Sequence, residues 1–340
     1  MKERIKYFDL LRAIAILGVV SIHSTNIGYT FADTSFSFNI TVLWRQIINF
    51  SVPIFIAISG YFLADKNVST KKDYFTFLKR QVPRVLIPYL IWSILYLVIA
   101  FVKGSSISTI LYRFLTFTSA VPFYFVILII EFYILLPILQ KVSSQRKGLL
   151  LSGIISTLCC IFIFYFRYFT NIHLPIYICG SAPSWLFFYS LGIYIKKNGI
   201  SLSNKAIALL TVLSLGLSLL ETYYVYYKFG SIGESVTAVK ISSFIYSTFI
   251  ILLAFKHINR NYNKTKILLN IGEVSYGIFL SHMFFLMCFN FLSNRLFPII
   301  DQSAILKQIY LIIMTVLSST IFANIVRKID KEKAIKYLGQ

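Results

Sequence analysis

Residues 84–103 read RVLIPYLIWSILYLVIAFVK, an arginine and a lysine enclosing eighteen residues without a charge. A helix of about 20 residues rises roughly 30 Å, the thickness of a bilayer's hydrocarbon core. It also satisfies every backbone N–H and C=O internally, as a lipid environment demands. Comparable apolar runs occur at 8–26, 41–63, 121–140, 148–168, 180–197, 205–226, 236–256, 270–292 and 303–326. The sequence therefore predicts an all-α integral membrane protein of about ten transmembrane helices.

The composition agrees. With 57% hydrophobic and 13% charged residues, the chain has too little polar surface to cover a soluble core. A formal charge of +21 on a soluble domain would suggest a nucleic-acid partner. In this chain 24 of the 33 Lys and Arg residues sit in alternate gaps between apolar runs, from Lys2, Arg4 and Lys6 to Arg327, Lys328, Lys331, Lys333 and Lys336. That is the positive-inside pattern, with both termini cytoplasmic and no nucleic acid bound. Arg12 lies in the first span, and the other eight cations lie on or near the outer half. The outer gaps, at about 27–40, 104–120, 169–179, 227–235 and 293–302, are too short for an extra domain. Residues 1–340 read as a single polytopic domain. The opening Met1-Lys2-Glu3-Arg4 imitates a signal peptide, but no small-residue cleavage site follows, and the apolar run holds Asp9, Arg12 and His23. It reads as the first permanent helix. Cys159, Cys160, Cys179 and Cys288 have no metal-ligand spacing and form no evident disulfide framework. They read as small buried hydrophobes, and no metal is expected.

Ionisable groups at membrane depth are costly, so each is a functional candidate. Arg12 and His23 are eleven residues apart, which on a helix is nearly the same face and roughly 16 Å along the axis. Asp9, one turn before Arg12, is placed to pair with it. An interfacial ion pair anchoring the helix is the plain alternative, as is a packed, hydrogen-bonded His23. The stretch Asn270-Ile271-Gly272-Glu273-Val274-Ser275-Tyr276-Gly277-Ile278-Phe279-Leu280-Ser281-His282 brings a second histidine about twelve residues into its helix, against about fifteen for His23. The two imidazoles are thus expected within about one turn of each other in depth. Ser275 shares a face with His282, although small residues there also suit plain helix packing. Glu131, mid-span, needs protonation, a partner across helices such as Arg12, Arg80 or a histidine, or a wet cavity. His173 and His257 fall in gaps and read as surface residues.

The cluster Lys79-Arg80-Gln81-Val82-Pro83-Arg84 is expected at the cytoplasmic start of the third helix, with Pro83 in its first turn. Positive-inside anchoring explains it simply. Guanidinium groups beside a helix N-terminus also suit a phosphate-rich cytosolic cofactor.

With these residues in view, the chain resembles the membrane-bound acyltransferase 3 family. Phe8-Asp9-Leu10-Leu11-Arg12 through His23 matches the family's opening pattern of Asp, Arg three later and His eleven further on. Val52-Pro53-Ile54-Phe55 through Ser59-Gly60 is similar to its second-helix stretch. Arg80 to Arg84, leading into Ile87-Pro88-Tyr89, resembles its basic motif, spaced one residue wider than in many members. Phe125 to Tyr133 with Pro137, and Ser275-Tyr276-Gly277 with His282, are similar to two later elements. The resemblance implies transfer of an acetyl or other short acyl group from cytoplasmic acyl-CoA to a sugar hydroxyl. The acceptor it implies is an envelope polysaccharide or a lipid-linked precursor, and the setting is the cytoplasmic membrane. It implies His23 as the key catalytic residue, with His282 and Glu131 as further catalytic candidates. It implies donor or acceptor binding by Asp9, Arg12, Ser59, Arg80, Arg84 and Tyr276.

Such chemistry needs a base for the hydroxyl proton, which histidine supplies near working pH. Glu131 or Asp9 is a candidate to orient the ring, and an acyl-histidine route is the alternative to general-base catalysis. The competing class is a transporter or flippase for a polysaccharide or lipid-linked sugar, in which the buried His, Glu and Arg form a relay or substrate path. Transporters often repeat broken helices in two halves. Pro53 and Gly60 have no convincing counterpart here.

Overall fold

The computed structural model describes residues 5–170, 174–175, 178, 180–258 and 266–340. Met1, Lys2, Glu3, Arg4, His173 and Cys179, which enter the reading above, lie outside the described residues. No strand occurs among the described residues. The helices are α1 Lys6–Ser24, α2 Phe36–Ile47, α3 Ser51–Leu63, α4 Lys71–Val102, α5 Ile107–Leu115, α6 Tyr124–Ser143 and α7 Arg146–Thr170. They continue as α8 Ala182–Asn198, α9 Asn204–Phe229, α10 Ile241–Phe255, α11 Lys266–Glu273, α12 Ser275–Leu296 and α13 Ala304–Ile329. Single 3₁₀ turns extend α1 over Thr25–Thr30 and join α2 to α3 over Ile48–Phe50.

Eight helical segments among the described residues are long and apolar enough to cross a membrane. Two of the ten expected runs form shorter helices. The runs 180–197 and 236–256 fold as α8 and α10, of 17 and 15 residues. These rise only about 26 and 23 Å, less than the roughly 30 Å of a hydrocarbon core. Hydropathy registers apolar residues, but helix length is set by breakers: Pro183 opens the first turn of α8 and Gly199 closes it at φ 74°. The run 270–292 is likewise divided, α11 ending at Glu273 and α12 beginning at Ser275.

The third span departs most from expectation. α4 is a single helix of 32 residues, about 48 Å long. It begins at Lys71, where the Thr70 hydroxyl accepts from Asp73 N at 3.1 Å and donates to the Asp73 carboxylate at 2.8 Å. Pro83 and Pro88 are inside the helix, so the basic cluster does not stand at a helix start.

The chain divides into two compact units. One comprises residues 1–55 and 200–324, the other 56–199 and 325–340. In the first, α1 is lined on several sides. Tyr7 Oη donates to Ala254 O at 2.7 Å, and the Phe8 ring meets Phe255 edge-on at 5.6 Å. α11 lies against the first turns of α1, where Gly272 abuts the Asp9 backbone. Gly18 makes room for Ser51, and Gln308 Nε2 donates to Thr41 Oγ1 at 2.8 Å, tying α13 to α2.

In the second unit, α3 and α8 approach through glycines. A Cβ on Gly60 would collide with the Tyr189 carbonyl, and one on Gly192 with the Ala57 carbonyl. Small residues let backbones come this close where lipid offers no hydrophobic drive for association. The Tyr189 ring stacks on Phe132 of α6 at 4.3 Å, and Ser143 Oγ donates to Ser190 Oγ at 2.9 Å. Gly60→Ala or Gly192→Ala should destabilise this contact by about 1–3 kcal/mol, the usual cost of overpacking. Gly153→Ala should be milder, because its nearest neighbour is a Phe187 ring atom at 3.3 Å. Thermal unfolding in detergent would rank the three.

Candidate active site

His23 closes the last turn of α1, half-buried. His282 lies two turns into α12 and is completely buried. Their ring centroids are 5.4 Å apart with planes at 43°, so the structure brings together the two histidines that the depth count expects at one level. His282 Nδ1 is 2.6 Å from Phe279 O. A carbonyl only accepts, so Nδ1 carries the proton and the neutral ring keeps its lone pair on Nε2. That Nε2 is buried and has no hydrogen-bond partner among the described residues. The Phe279 ring sits 6.0 Å from His282, and Tyr276 stacks on Phe279 at 6.2 Å. One face of α12 therefore runs Tyr276–Phe279–His282. The chemical content is a half-buried histidine on α1 beside a second imidazole held in one tautomer.

The other expected residues fall elsewhere. Asp9, buried, accepts from Arg12 Nη1 at 2.9 Å, as their spacing predicts. Asp9 is fourteen residues from His23 on one helix, about 21 Å, so it cannot be the carboxylate that orients that ring. In the second unit Glu131 is half-buried, and its Oε2 accepts from Ala182 N at 2.7 Å. It caps the first turn of α8, where a carboxylate satisfies an orphan N–H and meets the positive end of the helix dipole. Neither an arginine nor a histidine was needed as its partner. Ser59 is half-buried on α3 next to Gly60. Arg80 and Arg84 are exposed on one face of α4, one turn apart. Because they lie in the interior of α4, the expected helix N-terminus is absent, and any anion they hold rests on the guanidinium groups alone.

Among the charges inside its own spans that sequence reasoning did not single out are Arg45 in 41–63, Glu221 in 205–226 and Lys240 in 236–256, all in the first unit. The orientation count placed the two cations on or near the outer half and left Glu221 out, although charge inside a span was signal enough. Arg45, half-buried on α2, donates to Asn49 Oδ1 and lies within electrostatic range of His23, Tyr29 and Lys240. Lys240 is completely buried, and its ammonium donates to Ser218 O at 2.7 Å and to Thr222 Oγ1. Glu221 accepts from Ser242 N at 3.1 Å and acts on Lys240. Gln46 Oε1 accepts from Ser218 Oγ at 2.7 Å and Asn49 Nδ2 at 3.0 Å. A polar network thus joins α2, α9 and the start of α10, and its Arg45 lies within electrostatic range of His23.

No curated protein and no solved structure matches the chain. The sequence model described as an acyltransferase domain does, over residues 5–324, which takes in both histidines, the Asp9–Arg12 pair and the arginines of α4. The protein belongs to the acyltransferase 3 family and is a multi-pass membrane acyltransferase.

Proposed function

We propose that the protein transfers an acetyl or other short acyl group from cytosolic acyl-CoA to a hydroxyl of an envelope polysaccharide or lipid-linked sugar in the cytoplasmic membrane. The observation that supports this best is the adjacency of His23 and His282 inside a chain of this family.

In this reading a neutral His23 nitrogen accepts the proton of the sugar hydroxyl. The oxygen's electron pair forms a C–O bond to the thioester carbonyl. The tetrahedral intermediate then collapses, the C–S bond breaks with its electron pair leaving on sulfur, and the imidazolium returns its proton to the thiolate. Coenzyme A departs as the free thiol. His282, held by its Nδ1–H bond to Phe279 O, steadies the position of His23 and offers Nε2 as an acceptor. Arg80 and Arg84 supply two adjacent guanidinium groups for the coenzyme's phosphates, with both chain termini on the cytosolic side. The Asp9–Arg12 pair and Tyr276 of the first unit, and Ser59 of the second, are the further binding residues of this reading.

The test is purified protein in lipid nanodiscs, supplied with acetyl-labelled acetyl-CoA and with glycans from cells that lack the gene. Label should pass to the glycan or, without acceptor, to water. A protein that moves no label to either, in a preparation with intact thermal unfolding, would refute the reading.

A further inference from the structure

The end of α9 reads Tyr223-Tyr224-Val225-Tyr226-Tyr227-Lys228-Phe229, and its five aromatic rings are placed in two ways. Tyr224 and Phe229 lie near the Lys228 ammonium, 5.4 Å from one ring centroid and 5.6 Å from the other. That is the ordinary setting of rings anchoring a helix at a membrane surface. Tyr223, Tyr226 and Tyr227 are built into the protein instead. Tyr227, 66% exposed, stacks on Tyr223 with centroids 6.2 Å apart and planes at 20°, and Tyr226 stands 5.2 Å from it. An interfacial tyrosine holds its hydroxyl out to water and headgroups. The Tyr223 hydroxyl instead donates to Asn39 Oδ1 of α2 at 2.6 Å. Asn39 Nδ2 donates to the carbonyls of Asp33 and Ser35, each at 2.8 Å. The half-buried Asp33 is thereby fixed two hydrogen bonds from Tyr223.

The same cluster is joined to the end of α1. The turn Thr25–Thr30 begins two residues after His23. Its Gly28 lies against Thr41 of α2, where a Cβ would collide, and its Tyr29 ring meets the buried Phe38 edge-on at 6.2 Å. Phe38 in turn meets Tyr226 at 5.4 Å. A trail of ring contacts therefore leads from the turn that leaves His23 to the exposed Tyr227. An exposed ring face, held rigidly and with a carboxylate on the segment that pins it, has a definite complement. The face of an aromatic ring is negative, and the axial C–H groups on one side of a sugar ring are weakly positive. The hydroxyls around that sugar are donors, which a carboxylate accepts in charge-assisted hydrogen bonds. A lipid headgroup fits less well, because its phosphate would meet Asp33 as a like charge.

We propose that Tyr226 and Tyr227, with Asp33 at their rim, hold one sugar of the acceptor glycan while another sugar of the same chain is acylated at His23, so that the acceptor is an oligosaccharide or polysaccharide. This rests on the acyltransferase reading above and narrows its acceptor to a chain of several sugars. Tyr227 supplies the stacking face and Asp33 the accepting oxygens. Tyr223, Asn39 and Phe38 are positioning residues.

The test uses the purified protein in nanodiscs with acetyl-labelled acetyl-CoA and a size-graded acceptor series. Partial hydrolysis of surface glycan from cells that lack the gene supplies the monosaccharide, disaccharide, tetrasaccharide and octasaccharide. In the wild type kcat/KM should rise by about tenfold or more along the series, as one stacked ring and one charge-assisted hydrogen bond supply, with the gain in KM. In Tyr227→Leu and in Asp33→Ala that gain should fall towards unity, whereas Tyr227→Phe, which keeps the ring, should retain it. Leucine is apolar without a π face, so this contrast separates stacking on a sugar from anchoring in lipid. Thermal unfolding of each variant controls for folding. Equal use of monosaccharide and octasaccharide by the wild type overturns the proposal without needing any variant to fold, as does an undiminished length preference in a folded Tyr227→Leu. Thioester hydrolysis without transfer to any member of the series overturns this inference alone. Absence of both hydrolysis and transfer overturns the acyltransferase reading with it.

Discussion

His23→Ala protein should insert and unfold like the wild type while acyl transfer drops by about 10²- to 10⁴-fold, the usual contribution of a positioned general base. His23 is half-buried in the last turn of α1, so its removal should cost less stability than removal of the completely buried His282. The catalytic penalty is large because no other titratable group replaces it. His282 is adjacent, but its Nδ1 is committed to Phe279 O and the residue is fully enclosed. His282→Ala should therefore lower kcat less steeply and leave KM for acyl-CoA near its wild-type value, the signature of a lost positioning contact. Steady-state kinetics of both variants, with unfolding curves as controls, would separate the two roles. Retained turnover in His23→Ala would remove the imidazole from the mechanism.

The shared depth of the two histidines was legible because depth along a helix is a count, whereas their adjacency is tertiary information. Fifteen residues into one span and twelve into another differ by less than a turn, and the small break at Val274 does not disturb the match. The basic cluster was misplaced for a local reason. Pro83 suits a helix start, but so does Thr70-Lys71-Lys72-Asp73, whose hydroxyl–carboxylate cap comes first. The polar third of α4 looks unlike a membrane segment, so a hydropathy reading trims it away. Glu131 was legible as a group in need of a partner. That the partner is the backbone of Ala182, fifty-one residues on, is tertiary information. Arg45 and Lys240 could have been singled out by the same rule that singled out His23. Counting them on or near the outer half concealed that they lie inside expected spans. Helix-to-helix approach was the least legible feature. Gly272, Gly60 and Gly192 each face a carbonyl-bearing backbone segment on another helix, and nothing in their own neighbourhoods distinguishes them from Gly216, which faces open space.

That difference between glycines makes the second large effect predictable. Gly272→Val should unfold the first unit's helix seam or sharply lower its melting temperature, and Gly272→Ala should do so to a lesser degree. A Cβ at this position would overlap the carbonyl oxygen and carbon of Asp9. These are backbone atoms of α1 that no rotamer change can withdraw, so α11 must move off α1. Overpacking of this kind costs about 1–3 kcal/mol for one methyl and more for a branched side chain. The consequence reaches the site because α11 leads into α12 through Val274, and His282 stands ten residues beyond Gly272. Displacing the close approach of α11 to α1 at Gly272 displaces the helix that holds His282 against His23. Gly272→Ala should therefore lose activity out of proportion to its loss of stability, since a misplacement of about 1 Å can cost about 10²-fold in rate. Gly216→Ala is the control. Its Cβ meets nothing, and replacing glycine inside a helix tends to stabilise by about 0.5–1 kcal/mol. Measured together at one temperature, the two alanine variants should diverge in melting temperature and still more in turnover. Parallel behaviour would mean that the α1–α11 contact does not govern the geometry of the histidine pair.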